Sequence, residues 1–346
     1  MLDPLDSELL NEIQTQIPLV ERPFAQIAAK LSSTESQVLE RLRRMKSPPP
    51  PDRPIIRQTS AIFDSKSLGY QTTLVAARVP EEHLDAAAAV INQHPGVSHN
   101  YRRNHVFNLW YTLAVPPHSK LGLDKTLAIL HQASGADSTR MMPTLRLFKI
   151  GVKFDIGAEG DLTGRTETPA VGQGSVVPPS PVSEADRNVI RVLQQDLPLV
   201  EEPFKPWAAR AEMPVAQLLQ RAQEFLDRKL MRRFAAVLKH REAGISANAM
   251  GVWEVPAEQQ ESFGNLAASF TAVSHCYLRT TYADWPYSVF TMVHAPTRAQ
   301  CEGVLASISA ESGVAHYRAL YSSTEYKKVR VKYFTPEIDQ WEAGHG

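Results

Sequence analysis

The sequence predicts an α+β protein built by tandem duplication, in which each copy joins a helix-turn-helix to a β-α-β-β-α-β domain. The duplication is visible as three segments that recur in the same order. PLVERPF at Pro18 returns as PLVEEPF at Pro198, and VSHNYRR at Val97 returns as VSHCYLR at Val273. GVKF, which ends at Phe154, returns as RVKY. We expect the two copies to pack as an intramolecular pseudo-dimer, sheet against sheet.

Three helical segments open each copy. In LDSELLNEIQTQI the apolar residues fall near helical spacing, and Asp3 or Asp6 is placed to cap the helix start. PFAQIAAKL carries Pro23 near its first turn, and TESQVLERLRRM follows a tight turn, which is typical of a helix-turn-helix. The prolines at 48–51 predict a stiff hinge. The second copy repeats this plan without the proline run.

Strands and helices alternate in the rest of each copy. The predicted series in the first copy is strands IIRQTSAIF and QTTLVAARV, helix EEHLDAAAAVINQH, strands VSHNYRRN and FNLWYTLAV, helix LGLDKTLAILHQA and closing strand LRLFKIGVKF. Behind the leading strand, this is the ferredoxin-like order. The second copy gives the same series and closes with EYKKVRVKYF.

These patterns divide the chain into six predicted ranges. They are helix-turn-helix domains at 1–47 and 184–230, ferredoxin-like ligand or catalytic domains at 54–156 and 231–335, a linker at 157–183 and a tail at 336–346. The linker is rich in Gly, Pro, Ser and Thr and lacks apolar periodicity. We expect it to be long enough to let the two copies pack together.

Composition narrows the class of protein. Hydrophobic residues make up 43% of the 346 residues and charged residues 21%, as in soluble globular proteins. No apolar run is long enough for a membrane-spanning helix, and MLDPLDSELL lacks the features of a secretory signal. The two cysteines, Cys276 and Cys301, are too few for a disulfide framework or a thiolate metal site, which fits a cytoplasmic setting. Hydrolase and phosphotransfer functions have little support, because no nucleotide, Ser-His-Asp or zinc motif is present.

The motifs carry a resemblance to a known family. LDSELLNEIQ, IAAKLSSTESQVLERLRRM and IIRQTSAIFDSKSLGY resemble the regulator unit of the Lrp/AsnC family, and the likeness covers nearly the whole chain, twice. More specifically, HNYRRNHVFNLWYTL and LFKIGVKFD look like one of the two small subunits from which siroheme decarboxylases are built. SHCYLRTTYADWPYSVFTMVHA and EYKKVRVKYF look like the other.

This resemblance implies a fused enzyme that holds both subunits in one chain, a carboxy-lyase acting on siroheme. Such enzymes remove carbon dioxide from the C12 and C18 acetate side chains to give 12,18-didecarboxysiroheme, which feeds an alternative haem route or the haem d1 route. A protonated pyrrole ring takes up the electron pair left by the departing carbon dioxide. No cofactor is therefore expected beyond the iron of the substrate siroheme.

A row of His, Tyr and Arg shares one face of a predicted strand in each copy, because residues i, i+2 and i+4 of a strand lie on one face. The rows are His99, Tyr101 and Arg103 in the first copy and His275, Tyr277 and Arg279 in the second. The predicted proton donors are His105, Tyr101, His275 and Tyr277. Alternatively, His105 or His275 ligates the siroheme iron, and the sequence leaves both roles open.

Siroheme carries several carboxylates, which suit the planar fork of arginine. The candidate basic residues for substrate binding are Arg102, Arg103, Arg279, Lys149, Lys153, Lys328, Arg330 and Lys332. Aromatic side chains either stack on the macrocycle or pack in the core; the candidates are Trp110, Trp285 and Tyr287.

Two other functions remain open at the level of sequence. One is an Lrp/AsnC-type transcription regulator that senses a small ligand or a tetrapyrrole; the other is a siroheme-binding chaperone without turnover. Specific DNA binding is not expected, because the formal net charge is zero and Glu35 and Glu40 interrupt the basic residues of the third helix. The expected partners are siroheme and downstream tetrapyrrole enzymes, and no membrane.

Overall fold

The computed structural model describes residues 2–50, 53–150, 164–165, 181–238 and 247–345. In the first copy the elements are α1 (Pro4–Thr15), α2 (Pro23–Lys30), α3 (Glu35–Lys46), β1 (Ile56–Phe63), β2 (Gln71–Arg78), α4 (Leu84–Asn92), β3 (Val97–Arg103), β4 (Leu109–Val115), α5 (Gly122–Ser134), β5 (Ser138–Met142) and β6 (Thr144–Ile150). In the second copy they are α6 (Glu184–Leu193), α7 (Lys205–Arg210), α8 (Val215–Asp227), β7 (Met231–Leu238), β8 (Ala247–Trp253), α9 (Gln260–Ser269), β9 (Val273–Arg279), β10 (Val289–Ala295), α10 (Arg298–Ser312), β11 (Tyr317–Leu320), β12 (Ser322–Lys328) and α11 (Glu337–Ala343). Within these ranges, no helix has the length and apolar character needed to cross a membrane.

The helices begin where the sequence predicts. Asp3 caps α1 by accepting a hydrogen bond from the Asp6 N–H at 2.8 Å, and the Asp6 carboxylate accepts in turn from the Asp3 N–H. Thr34 forms the same reciprocal cap at the start of α3. Each cap satisfies backbone donors that the helix itself leaves unpaired.

The chain forms two compact units. The helical unit contains residues 2–70, 181–238 and 332–335, and the sheet unit contains most of the rest. This grouping differs from the predicted boundaries, because β1 and β7 fall in the predicted ferredoxin-like ranges but belong to the helical unit. The predicted linker at 157–183 lies almost wholly outside the described residues, as does the end of the closing strand of the first copy.

In the helical unit, the two copies are joined through one antiparallel ribbon. β1 pairs with β7, and Ala61 lies opposite Phe234. The Ile17 N–H of the first copy donates to the Phe234 carbonyl at 2.7 Å, and the Leu197 N–H of the second donates to the Thr59 carbonyl at 2.7 Å. Each helix-turn-helix is therefore hydrogen-bonded to the strand of the other copy.

The sheet unit contains two five-stranded sheets, ordered β12-β3-β4-β2-β5 and β11-β8-β10-β9-β6. The closing strands of the two copies are exchanged between the sheets, which the sequence analysis did not predict. β6 pairs with β9 of the second copy, and β12 pairs with β3 of the first. The short strands β5 and β11, which the sequence analysis missed, each lie at an edge of their own copy's sheet. Single residues, Pro143 and Tyr321, separate these strands from β6 and β12. So short a connection leaves no room for a hairpin, and the chain continues into the other sheet.

Each sheet has a helix-covered face and a face that meets the other sheet. α4 and α5 cover the first sheet through Leu84, Ile91 and Leu130, and α9 and α10 cover the second. The remaining faces share an inter-sheet cluster, which contains Ala76, Phe107, Trp110, Met142, Met250, Val252, Trp285, Phe290 and Leu320. This packing confirms the predicted pseudo-dimer of two sheets.

The predicted tail at 336–346 contains helix α11, which packs on the first copy. The Glu342 carboxylate is buried and accepts hydrogen bonds from the Ser119 hydroxyl and from the Lys120 N–H. The ring of Trp341 lies 4.4 Å from that of His94. Burial of His94 lowers its pKa to about 4, so this imidazole is neutral where it meets Trp341.

Candidate functional site

A β-bulge in each copy decides which way the His-Tyr-Arg rows face. The register of β3 shifts between Val97 and His99, and β9 shifts at the matching place before His275. Val97 contributes to the core under the helices, whereas Tyr101 lies opposite Trp110 of the inter-sheet cluster. The bulge reverses the alternation, so both rows lie on the side where the two sheets meet.

Two arginines end these rows; Arg103 is buried and Arg279 is partly buried. Arg103 donates to the Leu320 carbonyl at 3.2 Å, and Arg279 donates to the Met142 carbonyl at 2.6 Å, so each reaches from its own sheet to the edge strand of the other. Burial lowers the pKa of both guanidinium groups to about 10, which leaves them charged at neutral pH. Neither Nε atom has a hydrogen-bond partner among the described residues. Each side chain therefore has one buried donor that is unsatisfied among the described residues, which is typical of functional sites.

His275 presents an unprotonated nitrogen towards the inter-sheet side. Its Nδ1 lies 2.8 Å from the Ser274 hydroxyl, which itself donates to the Met292 carbonyl at 3.3 Å. The serine oxygen is thus left to accept from an Nδ1–H, and Nε2 keeps its lone pair. Burial lowers the pKa of His275 to about 4, so the ring is neutral at physiological pH. The neighbouring Tyr277 stacks with His275 at 6.0 Å and lies 4.8 Å below the Arg279 guanidinium carbon.

His105 has the opposite tautomer. It follows β3 in a short loop, and its Nδ1 accepts a hydrogen bond from the Phe107 N–H at 3.1 Å. In the neutral ring the hydrogen therefore sits on Nε2. The ring is half-buried and lies 5.2 Å from Trp285. Burial and then the charge of Arg318 lower the pKa of His105.

Of the two alternatives for the tryptophans, the structure shows packing in the core. Trp110 and Trp285 are 1% and 0% exposed, and their rings lie 5.1 Å apart in the inter-sheet cluster. Neither ring has a face left for a ligand. Tyr287 is partly exposed, and its hydroxyl accepts from Arg318 Nε at 2.8 Å.

Several of the predicted basic residues lie away from the rows. Arg102 points to the helix-covered side and pairs with Glu81. Lys149 lies opposite Cys276 on the same side and donates to the Phe270 carbonyl at 2.8 Å. Lys332 belongs to the helical unit, and Lys153 lies outside the described residues. Lys328 and Arg330 lie in the sheet unit, where exposed Lys328 is opposite His99 and 3.6 Å from Glu325.

Sequence reasoning missed two arginines that flank the inter-sheet cluster. Arg140 on β5 lies opposite Ala76, and Arg318 on β11 lies opposite Val252. Both were missed because their short strands were missed. The signal was available, since STRMM and YRAL follow the second ferredoxin-like helix of each copy at a similar distance.

A surface cavity of about 410 Å³ lies at the loop end of the second copy, where Glu254, Gln260, Thr281 and His316 are among its lining residues. No lysine or arginine lines it. A polycarboxylate would meet a glutamate there and no compensating cation. The cavity is therefore less suited to such a ligand than the arginine-bearing rows.

Cys276 and Cys301 are free and buried. The residues that the structure describes contain no group of three His, Cys, Asp or Glu side chains placed to hold a metal ion. Burial raises the pKa of the Cys276 thiol, which keeps it protonated and inert.

Comparison with known proteins identifies the family. The model of the AsnC-like ligand binding domain matches residues 67–149 and 242–327, and that of the siroheme decarboxylase NirDL-like HTH domain matches 6–48 and 186–232. A siroheme decarboxylase from Hydrogenobacter thermophilus is 37% identical over 96% of this chain and 96% of its own length. The chain belongs to the siroheme decarboxylase family.

Solved structures of this family have the same fold. The crystal structure of the siroheme decarboxylase NirDL superimposes with a TM-score of 0.77 at 32% identity and covers 98% of this chain and 97% of its own. A second crystal structure of NirDL, in complex with an iron-uroporphyrin III analogue, matches with the same TM-score. The whole chain, with both copies, thus corresponds to one siroheme decarboxylase of this type.

Proposed function

We propose that this chain removes carbon dioxide from the C12 and C18 acetate side chains of siroheme and releases 12,18-didecarboxysiroheme. The observation that carries the proposal is the pair of arginines, Arg103 and Arg279, whose Nε atoms lack a hydrogen-bond partner among the described residues, set beside histidines of opposite tautomer. Arg103 and Arg279 supply charge for a polycarboxylate substrate. The family relationship points to siroheme as that substrate.

The chemistry requires a proton donor. When the bond to the carboxylate carbon breaks, carbon dioxide leaves and the electron pair passes into the protonated pyrrole system. A proton is then added to the remaining carbon, which becomes a methyl group. The protein has to hold the other carboxylates and to deliver and withdraw protons at the ring.

His105 is the better proton donor. Its Nδ1 accepts the hydrogen bond from the Phe107 N–H, so the ring hydrogen is on Nε2, which is not used in that bond. Burial and Arg318 disfavour the imidazolium in the free protein. A substrate carboxylate next to the ring favours the imidazolium and offsets the charge of Arg318, so we expect binding to shift the pKa of His105 upward. Tyr101 and Tyr277 remain further candidates on the same side of the sheets.

His275 is the better iron ligand. Its Nδ1–H is held by Ser274 and its Nε2 lone pair is available, which is the arrangement of histidines that bind metals. The iron belongs to the substrate, so this contact would position the macrocycle. The two roles that the sequence left open are thereby divided between the two histidines.

Anaerobic incubation of the purified protein with siroheme tests the proposal. The expected mass spectrum shows the loss of one and then two carbon dioxide units. Neither pyridoxal phosphate nor a nicotinamide should be needed. An absolute requirement for either cofactor, or binding of siroheme without any mass change, would contradict the proposed reaction; the second result would favour a siroheme chaperone.

The helix-turn-helix motifs are proposed to be structural. On α3, Arg41 and Arg44 pair with Asp6 at 2.7 and 2.6 Å, and Lys46 pairs with Asp196 at 2.8 Å. In the second copy, Arg221 and Arg228 likewise pair with Asp186. These contacts use the cations that a DNA-reading helix would offer to phosphates.

We expect DNA binding to be weak and independent of sequence at physiological salt. Anisotropy titrations with the promoter of the chain's own gene and with a scrambled duplex measure this. Nanomolar affinity for the promoter, with a steep dependence on salt, would instead support a regulator. The cytoplasmic location and the passage of the product to haem or haem d1 enzymes stay predictions.

A further inference from the structure

Arg140 and Arg318 hold equivalent positions in the two halves of the sheet unit. Arg140 lies opposite Ala76 on β2, and Arg318 lies opposite Val252, the matching residue on β8. Both side chains therefore leave an edge strand on the side where the sheets meet. Their surroundings differ, because the loops that approach them from the other copy differ.

The loop that approaches Arg140 carries an acid. Eight residues separate Arg279 from Ser288, whereas four separate the equivalent Arg103 and Asn108. The longer loop folds into a small hairpin, with Tyr282 and Trp285 paired through their backbones at 2.8 and 2.9 Å. Its tip brings Asp284 onto Arg140.

The Asp284 carboxylate binds Arg140 through two parallel hydrogen bonds, from Nε at 3.0 Å and from Nη2 at 2.8 Å. The Tyr282 hydroxyl donates to the Met141 carbonyl beside them. This ion pair offsets the charge of the guanidinium and occupies its Nε and Nη2 edge, while Nη1 donates to the Thr139 carbonyl at 3.3 Å, so Arg140 is a weaker site for a second carboxylate. The Arg140 half is thus neutralised by the chain's own acid.

The shorter loop offers Arg318 no acid. It consists of Asn104, His105, Val106 and Phe107, and no carboxylate lies within ion-pair distance of Arg318 in the part of the chain that the structure describes. Arg318 is exposed and donates to the Tyr287 hydroxyl through Nε at 2.8 Å, which leaves its terminal nitrogens available. Two residues further along β11, the Leu320 carbonyl accepts from Arg103.

We propose that the chain decarboxylates siroheme at one place, where Arg318 binds a substrate carboxylate next to His105. At the equivalent place in the other half, Asp284 occupies Arg140, so that His275 and Arg279 there hold the same macrocycle but no reacting carboxylate. The inference rests on the proposed siroheme decarboxylation and adds to it the place of the reaction and a specificity-determining residue. In the longer loop of the second copy, the Asp284 carboxylate takes the position on Arg140 that a substrate carboxylate takes on Arg318.

Binding titrations of siroheme under anaerobic conditions test this. Arg318→Gln removes the charge from an exposed site, and Arg140→Gln is the matched control in the other half. We expect the dissociation constant of Arg318→Gln to rise about 10- to 100-fold, the effect of losing a charge-assisted bond. Arg140→Gln should stay within about 3-fold of the parent, and Arg318→Lys should recover part of the loss. The parent should bind one siroheme per chain.

The outcomes separate the two proposals. Equal losses for Arg140→Gln and Arg318→Gln, or two siroheme molecules bound per chain, would overturn the single place of reaction. A parent that turns over siroheme together with an unaffected Arg318→Gln variant overturns this inference alone. A parent that neither binds nor decarboxylates siroheme overturns the proposed function as well. Thermal melting of all variants verifies that they fold, and the stoichiometry is measured on the unmodified protein.

Discussion

Replacing His105 with glutamine should lower turnover of siroheme about 100-fold or more while leaving its binding nearly unchanged. Glutamine keeps a hydrogen-bond donor at the same reach but has no proton to transfer. A positioned general acid contributes roughly 10²- to 10⁴-fold to the rate. Single-turnover kinetics with a mass readout measure the chemical step, and an absorption titration measures binding.

The pH profile gives an independent signature of this role. If the imidazolium of His105 is the acid in the complex, turnover falls as the pH rises through its pKa, and the glutamine variant loses that limb. His83→Gln is the matched control, because His83 is exposed and lies away from the rows. His275→Ala should instead change the siroheme absorption band, since it removes the proposed iron ligand. An absorption change on replacing His105 and a selective loss of turnover on replacing His275 would reverse the two assignments.

Replacing Asp6 with alanine should lower the free energy of unfolding by about 3 kcal/mol. The Asp6 carboxylate is fully buried and holds Arg41, Arg44 and the Asp3 N–H. Breaking a buried ion pair typically costs about 3–5 kcal/mol. The value here lies at the lower end, because Arg41 and Arg44 are partly exposed and recover hydration.

Denaturant unfolding measures this effect, with Asp227→Ala as the control. Asp227 is exposed and is bonded to Gln223, so its removal should change stability by about 0.5 kcal/mol or less. Asp186→Ala, at the equivalent position of the second copy, should behave like Asp6→Ala. A variant of Asp6 as stable as the control would show that the ion pairs of the third helix do not hold the motif together. The arginines would then be available for another role.

Features that depend only on residues close in sequence were predicted correctly. The cap at Asp3 and the order of the ferredoxin-like elements, apart from β5 and β11, needed only spacing and side-chain chemistry. The direction of the His-Tyr-Arg rows was not predictable. Strict alternation puts His99 on the same side as Val97, and only the bulge turns it towards the other sheet.

The pairing of the closing strands was also not predictable from the sequence. The periodicity of LRLFKI predicts a strand, but nothing in it says that β6 pairs with β9 of the other copy. Burial decided between the two interpretations of Trp110 and Trp285, since an aromatic residue on a strand suits a core and a ligand face equally. The tautomers of His105 and His275 depend on Phe107 and Ser274, whose positions follow from the loop and the bulge.

Because β6 and β12 are exchanged, each half supplies one edge strand to the sheet of the other. Without the borrowed strand, β3 and β9 would each present an open row of backbone donors and acceptors, the kind of edge that promotes aggregation. A half produced by itself therefore has an incomplete sheet. Completing that sheet requires two chains to associate, and the rate of association depends on their concentration. Joining the halves in one polypeptide makes this association intramolecular, so that its rate no longer depends on the concentration of the protein. Gene fusion in this protein thus secures equal amounts of the two halves and protects strand edges that separately made halves would expose until they met.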